Sequence, residues 1–142
     1  MKPNYIPQRE NWDCNIACIA MVCHTDYETV LSKVPEEVVG VGLNPLQELQ
    51  LLDAIYGTAS LHALTRLPDG KYRFMGGKTY LVSLPSTDNP WNSTHRCVLW
   101  VEEDGSKVVL LDPQTGEFEI DLDGLSWNFF NVIECAYNSD WS

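Results

Sequence analysis

The sequence contains no run of 18 apolar residues, and its first ten, MKPNYIPQRE, hold no hydrophobic stretch of the kind an export signal requires. Neither a membrane-spanning helix nor a secreted location is expected. Cationic side chains are scarce: nine Lys and Arg stand against 20 Asp and Glu, for a formal net charge of −11. Phosphate backbones would be repelled, so nucleic acid is not an expected partner. The five cysteines are an odd number at irregular spacing, without a paired CxxC. That argues against a secreted disulfide scaffold and against a structural zinc site built from Cys14, Cys18, Cys23 and His24. Asp121-Leu122-Asp123-Gly124 hints at oxygen ligation but lacks the distal Glu of an EF-hand loop. Repeats, linkers and low-complexity segments are missing as well. These absences leave a protein of a reducing, cytoplasmic compartment, with no metal or other cofactor expected.

What is present suffices for a real core: 44% of 142 residues are hydrophobic, enough for one domain spanning 1–142. Residues 1–12, with Pro3 and Pro7, predict an extended segment. Asp13 is placed as an N-cap, and Cys14 to about His24, CNIACIAMVCH, is apolar nearly all round. Such a helix belongs inside a core. Thr25-Asp26-Tyr27-Glu28 reads as a capping box opening a second helix that Pro35 stops. Asn44 and Pro45 open a third, LQELQLLDAIY, with Gly57 as its stop. From Thr58 onward, short β-branched and aromatic runs alternate with turn residues: SLHAL, KTYLVSL, HRCVLWV, KVVLLD, FEIDL and NVIECAY. Gly76-Gly77 reads as a turn before a strand, and Pro85 to Asn92 as a long loop. Helices first and strands after predict an α+β fold, a helical half packed on an antiparallel sheet.

Cys14 stands at the predicted first position of the buried helix, where free backbone N–H groups and the helix dipole favour an anion such as a thiolate. Cys18 and Cys23, deeper in that helix, read as small core residues. An Asp104-Gly105 turn between strands 95–102 and 107–112 sets Cys97 opposite Asp112 and His95 opposite Gln114. His95 and Asp112 are then diagonal neighbours on one face, within hydrogen-bond reach. A carboxylate orienting an imidazole that serves a thiol is the arrangement of a nucleophile, its base and the base's orienter. Of the other histidines, His24 ends the buried helix, where its charge would suit the dipole. His62 lies mid-strand with no carboxylate at comparable register, a bystander.

Gln8, then Asp13-Cys14, then a buried helix resembles the papain-like cysteine peptidases. STHRCVLW followed by KVVLLDPQTG resembles the histidine strand and Asp-Pro turn of the bacteriocin-processing, double-glycine leader peptidases and their stand-alone relatives. LNPLQELQLLDAIYG and KTYLVSL fall in the order that group shows, so the resemblance covers about residues 5–137. It implies a papain-like fold, with Cys14 as nucleophile, His95 as general base and then acid, and Asp112 as its orienter. Gln8 is implied as a side-chain donor to the oxyanion, beside the backbone N–H of Cys14. The implied activity is hydrolysis of a peptide or isopeptide bond in a protein or peptide partner. Trp12 and Asn15 flank the nucleophile, while Trp91 and Asn92 precede His95, so these four are candidates for lining the cleft. Two positions depart from the group: Asn15 replaces the glycine usual after Asp-Cys, and Arg96-Cys97 replaces an aromatic and a valine. The same groups suit a deamidase or acyltransferase, and a fold that has lost turnover would serve as a binding module.

Overall fold

The structure, a computed structural model, describes residues 2–56, 61–65, 67–85, 94–121, 129 and 132–135. Gly57, most of the loop before His95 and residues 122–124 lie outside that set. Among the described residues three α-helices, α1 (Cys14–Val22), α2 (Tyr27–Leu31) and α3 (Pro45–Tyr56), precede six strands, with a 3-10 turn at Glu36–Val38 between α2 and α3. The strands are β1 (Leu61–Ala63), β2 (Thr79–Pro85), β3 (Thr94–Val101), β4 (Val108–Asp112), β5 (Gly116–Glu119) and β6 (Val132–Cys135). They form one antiparallel sheet in the order β1-β6-β2-β3-β4-β5. Among the described residues no helix is long and apolar enough to cross a membrane.

The apolar character of α1 has the consequence expected of it. Every residue from Ile16 to Val22 is buried, and the helix lies across β2 and β3. Ile16, Ile19, Met21, Leu51, Leu52, Leu81, Val98 and Leu111 form the core between helices and sheet. Each fully buried aliphatic side chain there contributes about 1.5–3 kcal/mol. The opposite face is covered too: Tyr80, Val82, Leu99, Leu110 and Val132 pack with Tyr72 and Phe129. Phe74 meets Tyr80 edge-on at 4.9 Å. Cover on both faces explains why β2 and β3 read as nearly continuous apolar runs.

The β3–β4 hairpin has the register that an Asp104-Gly105 centre demands, pairing Val98 with Leu111 and Val101 with Val108. The connection itself is longer than a two-residue turn. Glu102 N–H still donates to Lys107 O at 3.0 Å, so the loop is 103–106, closed by Gly105 N–H donating to Glu102 O at 2.8 Å. Adding one residue on each side leaves the pairing unchanged. Gly105 takes φ +74°, which suits glycine. Gly76-Gly77 forms the expected turn before β2; a Cβ on Gly76 would sit 2.4 Å from the Glu103 carbonyl oxygen, so the turn fits only without a side chain there.

Four local expectations are corrected. The second helix is capped by Asp26, whose carboxylate accepts from Thr29 N–H, rather than by Thr25. Asp13 occupies the N-cap position of α1 without capping it, because its carboxylate points backward. The end of α1 is closed by backbone: His24 N–H donates to Met21 O and Thr25 N–H to Ala20 O, with His24 in the left-handed region at φ 52°. Burial lowers the His24 pKa, so a charge on the ring is disfavoured at that position. His62 lies opposite Glu134, because β6 runs between β1 and β2 and brings a carboxylate from far along the chain to that register.

Candidate active site

The site is assembled where the N-terminus of α1 meets the start of β3 and the end of β4. Its best-defined contact is between His95 Nε2 and Asp112 Oδ1 at 2.6 Å, with both side chains mostly buried. The sequence DPQTG sets the carboxylate in place. Pro113 supplies the second position of a turn in which Thr115 N–H donates to Asp112 O at 3.3 Å. Gln114 N–H donates to Asp112 Oδ1 at 2.8 Å, and Tyr5 O–H to Asp112 O at 2.7 Å. Carboxylate and backbone are thus both held.

Burial opposes charge on the His95 ring. The hydrogen bond to Asp112, with contributions from the Cys14 and Cys97 thiols, outweighs it and pushes the pKa up to about 12. Burial likewise acts to raise the Asp112 pKa, but the bonds from His95 and Gln114 prevail and hold it below the usual value. The pair therefore sits as imidazolium and carboxylate. Both the Cys14 and the Cys97 sulfur reach this ring, yet their settings differ: Cys14 is partly exposed, and Cys97 is wholly buried with its thiol pushed up by that burial. Cys18 and Cys23 are core residues as expected, with the Cys18 thiol raised by burial and donating to Arg96 O at 3.2 Å.

The segment before Cys14 is organised by Asp13, which is wholly buried. Its carboxylate accepts from Arg9 N–H at 3.0 Å, Glu10 N–H at 3.1 Å and the Tyr27 hydroxyl. Asp13→Ala would strand three donors, and a loss of about 3 kcal/mol is expected in urea unfolding. A change below about 0.5 kcal/mol would show that this loop is held by other means. Gln8 is tied to the same corner through its N–H, which donates to Pro113 O at 2.9 Å. Its side-chain Nε2 donates to Glu10 O at 2.7 Å, while its Oε1 is buried without a partner.

Trp12 is partly buried against the helix-side core, and Gly42 passes close to its carbonyl oxygen. Asn15 engages neighbouring side chains with its amide: Nδ2 donates to Glu48, and Oδ1 accepts from Cys14 Sγ at 3.7 Å. Trp91 and Asn92 lie outside the described residues. Sequence reasoning missed Glu48 and Arg96, which form a buried ion pair beside the site. The signal was available: Glu48 interrupts the stripe completed by Leu51, Leu52 and Ile55, and Arg96 shares an inward-facing alternation with Val98. Among the described residues, His95, Cys97 and Asp112 have donor atoms within 4.8 Å of one another, close enough to share an ion.

No protein-family model and no curated protein matches the chain. Among solved structures it is similar to a double glycine motif protease from an AMS/PCAT transporter, solved in complex with the leader peptide. The TM-score is 0.57 at 21% identity, over 96% of this chain and 93% of that one. It is also similar to the Pseudomonas avirulence protein AvrPphB, with a TM-score of 0.43 at 12% identity over 92% of this chain and 95% of that one. The first likeness carries the architecture: the chain has the papain-like fold, helices packed on an antiparallel sheet.

Proposed function

We propose that the protein is a cysteine peptidase that cleaves a peptide or isopeptide bond in a protein or peptide substrate. The observation that carries this reading is the 2.6 Å contact of Asp112 with a ring that the Cys14 sulfur also reaches. In this reading Cys14 Sγ, its proton resting on His95, attacks the substrate carbonyl carbon as the thiolate, moving the π electrons onto oxygen. The oxyanion accepts from Cys14 N–H and Gln8 Nε2. That N–H opens α1, where no preceding turn of helix offers a carbonyl to accept it. Gln8 Nε2 has a second hydrogen beyond the one directed at Glu10. Collapse of the adduct expels the amine, which takes the proton from His95 and leaves a thioester. Water then gives a proton to His95 and attacks the thioester; collapse expels the Cys14 thiolate beside the protonated ring and releases the acid, which loses its proton to solvent. Asp112 keeps the ring oriented and stabilises its charge whenever it holds the proton. Trp12 and Asn15, which flank the nucleophile in sequence, would border the scissile bond. The leader peptide bound to the double glycine motif protease supports a peptide as occupant of the cleft.

An imidazolium beside a partly exposed sulfur makes that sulfur the preferred target of an electrophile. Iodoacetamide at pH 6 is therefore expected to alkylate Cys14 at least about tenfold faster than the other four cysteines, as read by peptide mass spectrometry. Labelling spread evenly over all five, or led by another cysteine, would overturn the assignment.

A further inference from the structure

We propose that Glu48 is a positioning residue that holds the nucleophile and the base in register across the cleft. The inference rests on Cys14 and His95 being the reacting pair. Neither residue touches Glu48 directly, but the residue after each one does. Arg96, next to His95, forks onto the carboxylate, with Nε 3.1 Å from Oε1 and 3.0 Å from Oε2, and Nη2 donating to Oε1 as well. Asn15, next to Cys14, donates its amide to Oε2 and accepts from the Cys14 thiol with its own Oδ1. One carboxylate on α3 thereby ties the start of α1 to the start of β3. A further tie runs in parallel, from Cys18 Sγ to the Arg96 carbonyl, one turn along the helix.

The burial of this cluster is the reason to look beyond stability. Glu48 is 1% exposed and Arg96 6%, and taking two charges out of water costs about as much as their attraction returns. An apolar pair would fill the space as well, but it would not fix two peptide segments relative to each other. A forked ion pair does, because guanidinium and carboxylate are planar and accept few mutual orientations. The two sequence departures, Asn15 for glycine and Arg96 for an aromatic, are thereby one feature: each supplies one arm to the same carboxylate. The titratable groups facing the reacting pair are Asp112 from β4, Cys97 from β3, Cys18 from α1 and Tyr5 from the N-terminal segment. Glu48 acts on that set by placing it.

The test replaces the ion pair by an uncharged pair of similar length, Glu48→Met with Arg96→Met, which keeps the volume and removes the orientation. The double variant is expected to unfold cooperatively near the wild-type temperature, while kcat/KM on a protein substrate falls about 100-fold, mostly in kcat. Alkylation of Cys14 at pH 6 should slow in parallel, a readout that a purely structural pair would not move. A folded double variant with wild-type kcat and alkylation overturns the proposal. If wild-type Cys14 shows no preferential alkylation, the peptidase reading fails first; if it does and the double variant matches it, only the role of Glu48 fails. Should the double variant misfold, Asn15→Ala decides instead. It leaves Glu48 and Arg96 paired and cuts the arm to the nucleophile, so kcat and the alkylation rate should both drop, and unchanged values overturn the proposal.

Discussion

Cys14→Ala is expected to abolish cleavage of a cognate protein, lowering kcat on the order of a million-fold, while leaving the fold and substrate binding in place. The size of the effect follows from the absence of a substitute among the described thiols. Cys97 touches the same ring but is wholly buried, and burial raises its thiol rather than freeing an anion. Cys18 and Cys135 are raised in the same way, and Cys23 is core. What survives in the variant is the polar setting of the oxyanion, worth a residual about 10³-fold over water in comparable sites. Because alanine removes the reacting atom and little volume, the variant should trap its substrate, and co-purification would identify it. Turnover within tenfold of wild type would remove Cys14 from the reaction and the peptidase reading with it.

The parts of this molecule that were legible in the sequence are those set by local chemistry. An apolar run with no polar face could only be a core helix, and α1 is buried along its length. The Asp104-Gly105 turn fixed the hairpin register even though the loop is longer than expected, and that register brought His95 to Asp112. Non-local pairings were another matter. Nothing near His62 announces that β6 would insert beside it and set Glu134 opposite. Asp13 looked like a cap because its residue type and position fit one. Its carboxylate instead collects donors from the chain behind it and from Tyr27, because a wholly buried carboxylate must be hydrogen-bonded. Glu48 and Arg96 each break an apolar pattern, and either alone reads as a surface charge on an imperfect stripe. Only the packing of α3 against β3 turns two anomalies into one ion pair.

Removing the Asp112 carboxylate should have the second-largest effect, a fall in kcat/KM of about 1,000-fold for Asp112→Ala at neutral pH. Burial alone favours a neutral ring, and the carboxylate is the main group that reverses this and carries the His95 pKa up to about 12. Without it the imidazolium is lost at lower pH and the ring is free to turn, so charge and orientation go together. Asp112→Asn separates the two. An amide oxygen can still accept from His95 Nε2 and from Gln114 N–H, which preserves the turn and the ring orientation, while the negative charge is gone. The sign of its pH effect follows: less negative charge beside the ring lowers the pH at which it deprotonates. The alkaline limb of the pH–rate profile should therefore move to lower pH in Asp112→Asn, with a loss at neutral pH smaller than that of the alanine variant. An alkaline limb that stays in place would mean that the ring's charge comes from elsewhere than Asp112. Equal losses in the two variants would mean that orientation contributes little, and that the 2.6 Å bond acts through charge alone.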